Sequence, residues 1–294
     1  TEILEFFAGL GRTPSCRKLR VFLSGGASSM AWIPPAGLGL AELRAELAGW
    51  YREPLSIREL NRRRSSLCAL KGGGAACWLR ILAPRVRARV EVISDVYPFG
   101  VEVVGSGPFS GADLGRPIPH RVLASGETVA SAIAAEARRQ GTRVRALQAW
   151  EPVSWERWRD WAITQARGPA GLSIASGEPR ISVSARGSGL GGRQTHLAAA
   201  LALELREELA SGSVEVVCAS TDGVDGTSGA SGAWLGRDVG RRLLASSALR
   251  RRFADSLRHH DSARALSAVG ALLRAGATGT NVQDVCLVLT KAAS

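Results

Sequence analysis

Lysine is almost missing from this chain: Lys18, Lys71 and Lys291 are its only examples, although Lys and Arg together number 38. The basic excess of +12 is therefore carried by scattered arginines. The two clusters, at 62–64 and 250–252, have no aromatic residues interleaved with them. A polynucleotide footprint needs a continuous basic stripe with stacking platforms, so no nucleic-acid partner is expected. Such a surplus reads as a solvated face that also attracts small anions. No run approaches the ~20 apolar residues of a membrane span, so no membrane partner is expected either. Cysteines number five, an odd count without a CxxC pair, which argues against a disulfide framework or a structural zinc site. Cys218 and Cys286 sit in apolar runs and read as buried, and a reducing cytoplasm is the expected compartment. GxxxxGK[ST] is absent, and His120, His196, His259 and His260 form no HExxH, which excludes a P-loop kinase and a zincin on motif grounds. The chain opens on Thr1 without a basic, apolar and small-residue succession, so no secretory signal is expected.

What is present suits a globular protein. The hydrophobic share of 45% is enough to build cores, and 294 residues suggest two domains. Strand-like runs at 19–23, 89–93, 143–148, 181–185, 214–219 and 285–289 alternate with helical patterns at 41–50, 55–70, 128–140, 193–209, 237–253 and 261–274. The alternation predicts α/β layers. Trp155, Trp158 and Trp161 fall on one helical face and read as a buried seam, as does the stripe Leu197, Leu201, Leu205 and Leu209. The domain boundary is expected near residue 165, giving domains of 1–165 and 166–294.

Chemistry is expected where glycine-rich turns follow strands. Gly187-Ser188-Gly189-Leu190-Gly191-Gly192 precedes Arg193, the first residue of a predicted helix. Freed backbone amides, a helix N-terminus and a guanidinium together make an anion site, which assigns Gly189, Gly191, Gly192 and Arg193 to phosphate or carboxylate. The same residues satisfy GxGxxG, so a nicotinamide dinucleotide is an alternative, although the next strand lacks the terminal acid of that fingerprint. Asp222 and Asp225, in Thr221-Asp222-Gly223-Val224-Asp225-Gly226, are candidate Mg²⁺ ligands, with Asp222 also a candidate catalytic carboxylate. Turn formation by Asp side chains is the competing reading. In the first half, Ser24, Gly25, Gly26, Asp95 and Lys71, which precedes Gly72-Gly73-Gly74, sit at element ends and are candidate phosphate or substrate contacts.

The order of these segments resembles the glycerate 2-kinase family, whose C-terminal half is the MOFRL domain. The matching segments are Ser24-Gly25-Gly26 with Pro34-Pro35; 57–61 with Leu70-Lys71-Gly72-Gly73; Ser94-Asp95-Val96; Gly105-Ser106-Gly107-Pro108; Ser176-Gly177-Glu178; 189–193; 221–226 with Gly232-Ala233; and 278–284. The resemblance implies a Rossmann-like N-terminal domain, incomplete here, and a MOFRL-type domain with the active site in the cleft between them. It also implies ATP- and Mg²⁺-dependent phosphorylation of D-glycerate, or a related small hydroxy acid, at its 2-hydroxyl. Thr278 and Asn281 join the expected substrate contacts on the same ground, and Arg193 matches the family's glycine-loop arginine.

The sequence also departs from the family pattern. It starts downstream of the family's Gly-Lys-Ala segment, whose lysine is thought to be catalytic, and Lys71 does not replace it. The arginine that usually follows the paired glycines is Gly74 here, Gly-Asp-Asp after Ser-Asp-Val has become Tyr97-Pro98-Phe99-Gly100, and Asn-Gln-Glu after the arginine has become Gln194-Thr195-His196. Two alternatives follow: a non-catalytic ligand-binding member or partner subunit, and an NAD(P)H-dependent hydroxypyruvate reductase, a label the family has carried. A homodimer or partner subunit is expected to cover the incomplete first domain.

Overall fold

The computed structural model describes residues 2–50, 53, 57–96, 100, 104–111, 117–183 and 189–292. The architecture is α/β with two sheets, and the chain divides into compact units of Thr1–Ala124 and Ser125–Ser294. In the first unit, α1 (Glu2–Arg12), β1 (Lys18–Ser24), α2 (Ala27–Met30), α3 (Leu40–Trp50), α4 (Ile57–Ser66), α5 (Gly74–Leu82), β2 (Arg87–Ile93) and β3 (His120–Ala124) follow in order. The strands form a parallel sheet in the order β1-β2-β3. Leu23, Val90 and Val92 turn one sheet face onto Phe7 of α1 and Leu79 of α5, so alternation along each strand builds this core. Ser24 and Ile93 lie in register, which brings the turns after β1 and β2 side by side at the sheet's carboxyl edge.

The second unit holds α6 (Gly126–Arg139), β4 (Val144–Ala149), α7 (Trp155–Ala166), β5 (Gly171–Gly177), α8 (Arg193–Glu204), α9 (Arg206–Ser211), β6 (Val214–Ser220), β7 (Gly232–Leu235), α10 (Arg237–Ala245), α11 (Ser247–Arg258), α12 (Ser262–Ala268), β8 (Leu272–Leu273) and β9 (Asp284–Thr290). Its sheet runs β4-β5-β9-β6-β7-β8 and is mixed: β4 and β5 are parallel, and the remaining pairs are antiparallel. Leu197, Leu201, Leu205 and Leu209 are all fully buried, and Trp158 packs in the same core with Trp155 and Trp161 at its margin. Cys218 and Cys286 face each other across β6 and β9, buried and unbridged. No helix among the described residues is long and apolar enough to cross a membrane.

Several sequence expectations need correction. Residue 165 lies inside α7, whose Trp158, Ala162 and Ala166 pack into the second unit's core, so the division falls after Ala124 instead. Of the strand expected at 181–185, residues 181–183 carry no regular structure, and 184–185 lie outside the described residues. Among the described residues the strand before the glycine loop is β5, buried at every position between β4 and β9. Its two serines and three small residues hide it from apolar alternation, because a central strand needs close packing more than hydrophobicity. The helix predicted over 193–209 breaks at Leu205 into α8 and α9.

Candidate functional site

In the second unit, Arg193 opens α8 while Asp284 opens β9 and Glu178 follows β5 directly. Gly177 and Ser220 both pair with Asp284, so this carboxylate sits at the end of three adjacent strands. The Arg193 guanidinium meets it through Nε at 3.1 Å and meets Glu178 through Nη2 at 3.2 Å. Nη1 donates to none of the described residues, and the side chain is 40% exposed. Asp284 is 1% exposed. Burial pushes its carboxyl up to about 7, against the pull of Arg193 and a hydrogen bond from Ser220. Burial opposes the charge on Arg193, but Asp284 and Glu178 hold its pKa above the ordinary value. The result is a fixed guanidinium with one edge left open.

Asp225 serves a different purpose from the one expected. It is buried, and its two oxygens accept the amides of Gln194 at 3.0 Å and Thr195 at 2.7 Å. It therefore caps the first turn of α8 and satisfies donors that would otherwise face a ligand. Burial raises its pKa, and the two amides work in the opposite direction. Asp222, three residues earlier, is half-buried and uses one oxygen to accept the Val224 amide at 2.9 Å. The two carboxylates do not fit a shared magnesium chelate, because Asp225 is committed to the helix. Among the described residues, no group of three or more His, Cys, Asp or Glu could hold a metal ion.

The glycine loop is also closed on itself. Leu190 N–H donates to Asp261 at 2.8 Å, Gly191 N–H to the Thr227 hydroxyl at 3.2 Å and Gly192 N–H to the Thr195 hydroxyl at 2.8 Å. The expectation that amides at 190–192 stay free for an anion is revised accordingly; Gly187 and Ser188 lie outside the described residues. Glycine is required at 192 because a Cβ there would collide with the Asp225 carboxylate. Gly189 and Gly191 belong to the same packed turn, against 259–262 and 225–227. Thr278 donates its hydroxyl to Thr221 O at 2.6 Å and its amide to Asp222 O at 3.1 Å. Asn281 accepts the Gln283 amide at 3.1 Å within the 278–284 loop, while Thr278 braces that loop against the 221–222 turn. The three loops predicted from sequence thus converge, with Arg193 and Asp222 as their open polar groups. Glu178 and Asp284 were missed as site residues. Each immediately flanks or opens a strand, which was the available signal.

In the first unit, Ser24-Gly25-Gly26 turns out of β1 beside Asp95, which follows β2. A Cβ on Gly25 would overlap the Asp95 carboxylate, so glycine there lets the acid lie against the backbone. Lys71 is not the open phosphate clamp expected of it. It is 4% exposed, donates to Ser28 O at 2.7 Å and lies 4.5 Å from the centre of the Trp32 ring. Burial lowers its pKa to about 8. The amides of Gly72 and Gly73 bond Ser106 O and Gly107 O at 3.0 and 2.8 Å, which stitches the lysine turn to the 104–107 segment.

Comparison with known proteins follows these two regions. The MOFRL family model matches residues 171–284, and the domain of unknown function DUF4147 matches residues 2–115. A Thermotoga maritima protein named D-glycerate 2-kinase is 27% identical over 91% of this chain and 71% of its own length. An Agrobacterium vitis protein with the provisional name hydroxypyruvate reductase is 30% identical over 91% of this chain and 78% of its own. The crystal structure of a Thermotoga maritima glycerate kinase superposes with a TM-score of 0.79 at 23% identity, covering 98% of this chain and 77% of that one. A Pyrococcus horikoshii structure gives 0.76 at 21% identity, covering 99% and 75%. At these identities the two structures establish the shared fold.

Proposed function

This chain belongs to the glycerate 2-kinase family, and from that premise we propose that it transfers the γ-phosphoryl group of ATP to the 2-hydroxyl of D-glycerate or a related small hydroxy acid. The carrying observation is the Arg193 guanidinium, fixed by Glu178 and Asp284 with its Nη1 edge open where the 221–226 and 278–284 loops meet. Phosphoryl transfer depends on positioning and on charge held ready for the equatorial oxygens, and such an arginine supplies both. On this reading the acceptor hydroxyl attacks phosphorus, the bond to the departing ADP oxygen breaks, and Asp222 takes the hydroxyl proton. Magnesium enters with the nucleotide phosphates as part of the substrate, since the protein's own carboxylates are not arranged to hold it.

In the first unit, Ser24, Gly25, Gly26 and Asp95 are proposed as contacts for a small anionic ligand at the carboxyl edge of the parallel sheet, where open α/β sheets take ligands. The proposal places the reaction in a reducing cytoplasm, in keeping with five free cysteines. It also retains a homodimer or partner subunit over the first unit's sheet, where Phe22 stands 64% exposed. The reductase reading rests on the Agrobacterium vitis name. It has less support, because the strand after the loop, β6, ends in Ser220 rather than in the acid that a dinucleotide fingerprint wants.

The test is ADP release and phosphoglycerate formation with D-glycerate by purified protein. Arg193→Ala should lower kcat/KM by ~10²–10³. Full activity in that variant removes Arg193 from the mechanism. Nucleotide binding without turnover favours a non-catalytic member, and hydroxypyruvate-dependent NADH consumption favours a reductase.

A further inference from the structure

Outside the Arg193 cluster, the second unit carries a crevice of about 460 Å³ walled by Trp155, Glu156, Arg180, His196, Leu257 and His260. This lies within the ~300–1,000 Å³ range of small-molecule sites. Its floor is His196, 5% exposed, whose Nδ1 has no partner among the described residues. The ring is already packed: Trp155 stands edge-on to it at 4.6 Å, and His260 stacks on it at 5.4 Å. The His196 side chain lines the crevice while Nδ1 itself is sealed from solvent, so a guest meets the exposed surface of the ring.

We propose that this crevice binds a planar nitrogen heterocycle, which on the phosphotransfer reading is the base of the nucleotide donor. Three features of the wall select that chemistry. An indole and two imidazoles stand in the wall, and rings of this kind are platforms on which bases stack with little regard to sequence. A neutral imidazole can donate or accept at Nε2, which suits either kind of atom on a base edge. Burial and the neighbouring His260 push the His196 pKa down to about 4, so the ring is neutral at pH 7. Glu156, exposed at the rim, accepts from an exocyclic amino group, and Arg180 supplies a cation for the sugar-phosphate side. His196 and Arg193 both belong to the first turn of α8, about 5 Å apart along its axis. A base held by His196 therefore leads its phosphates toward Arg193.

The inference depends on the phosphotransfer reading only for the identity of the guest, and titration calorimetry separates the two. ATP, inorganic tripolyphosphate and adenosine are each titrated into the full chain and into two variants. His260→Asn removes the stacked ring but tolerates the positive φ of 53° at that position. Glu156→Gln removes the charged acceptor from an exposed position. ATP should bind about tenfold more weakly to His260→Asn and about fivefold more weakly to Glu156→Gln, with tripolyphosphate unchanged in both. Equal weakening of ATP and tripolyphosphate, or no change in either, overturns the crevice. If the unaltered chain binds neither ATP nor tripolyphosphate, the phosphotransfer reading fails. In that case adenosine binding weakened by His260→Asn upholds the heterocycle site, and no adenosine binding overturns it.

Discussion

Replacing Asp284 by asparagine should change how the second unit's stability depends on pH. The carboxyl lies 1% exposed at the end of the central strands, and burial moves its pKa from the ordinary 3.8 to about 7. The unfolded chain releases this proton near pH 3.8, whereas the folded chain holds it to about 7. Asp284 thus contributes stability that is fully present below pH 3.8 and is lost as pH rises to about 7, levelling above that. A shift of this size corresponds to about 4 kcal/mol. Asparagine cannot ionise, so the variant escapes the loss while every other titrating group is shared. The stability difference between variant and parent should therefore grow by about 4 kcal/mol in the variant's favour between pH 4 and 8. Urea titrations at several pH values, followed by tryptophan fluorescence, give that difference by linear extrapolation. A difference that stays constant from pH 5 to 8 would mean that Arg193 keeps Asp284 ionised throughout, and the reasoning fails.

Three further outcomes follow from the packing. Asp225→Ala should cost about 2–3 kcal/mol, because it strips the buried cap from two α8 amides; an unchanged urea midpoint contradicts the cap. Leu201→Ala empties a fully buried position in the second core and should cost about 2–5 kcal/mol, read as a lower melting temperature. Lys71 has its pKa lowered from 10.5 to about 8, so its buried charge destabilises the fold below pH 8, and that penalty fades as pH rises toward 10.5. Lys71→Met should then stabilise the first unit by about 1–3 kcal/mol at pH 7, after allowing for the lost bond to Ser28 O, with the gain shrinking by pH 10. A lower denaturation midpoint at pH 7 would show that the amine is better accommodated than its burial implies.

Legibility from sequence followed physical scale. The leucine stripe of α8 and α9 and the tryptophan seam of α7 were plain because helical periodicity over several turns is a strong signal. The strands β1, β2, β6 and β9 were plain because β-branched and leucine residues recur along them, and β4 was read from Val144 and Leu147 alone. β5 was missed because its neighbours bury it on every side, so small residues serve as well as apolar ones there. β7 and β8 are short and take their pairing from partners distant in sequence. In the site, spacing singled out the loops and Arg193 but misjudged what the glycines do. A glycine admits close approach by anything, and at 192 the approaching group is the protein's own Asp225. Asp284 was legible only as a segment match, since one acid at the start of a strand carries no sequence signature of burial or of its partner.

Charge shows the same gap between composition and site. The whole chain is at +12, yet Asp284, Glu178 and Asp225 all act on the single guanidinium of Arg193. Surface arginines scattered over a 294-residue chain are screened within about 10 Å at ordinary salt and contribute little there. A bare polyphosphate would meet carboxylates as well as the arginine. Burial keeps a proton on Asp284 up to pH about 7, and the α8 amides absorb much of the charge on Asp225. What remains suits an anion that arrives partly neutralised by its own cation. On the proposed phosphotransfer reading that anion is a metal-bound nucleotide rather than free phosphate, and the overall basicity of the chain is no guide to the preference.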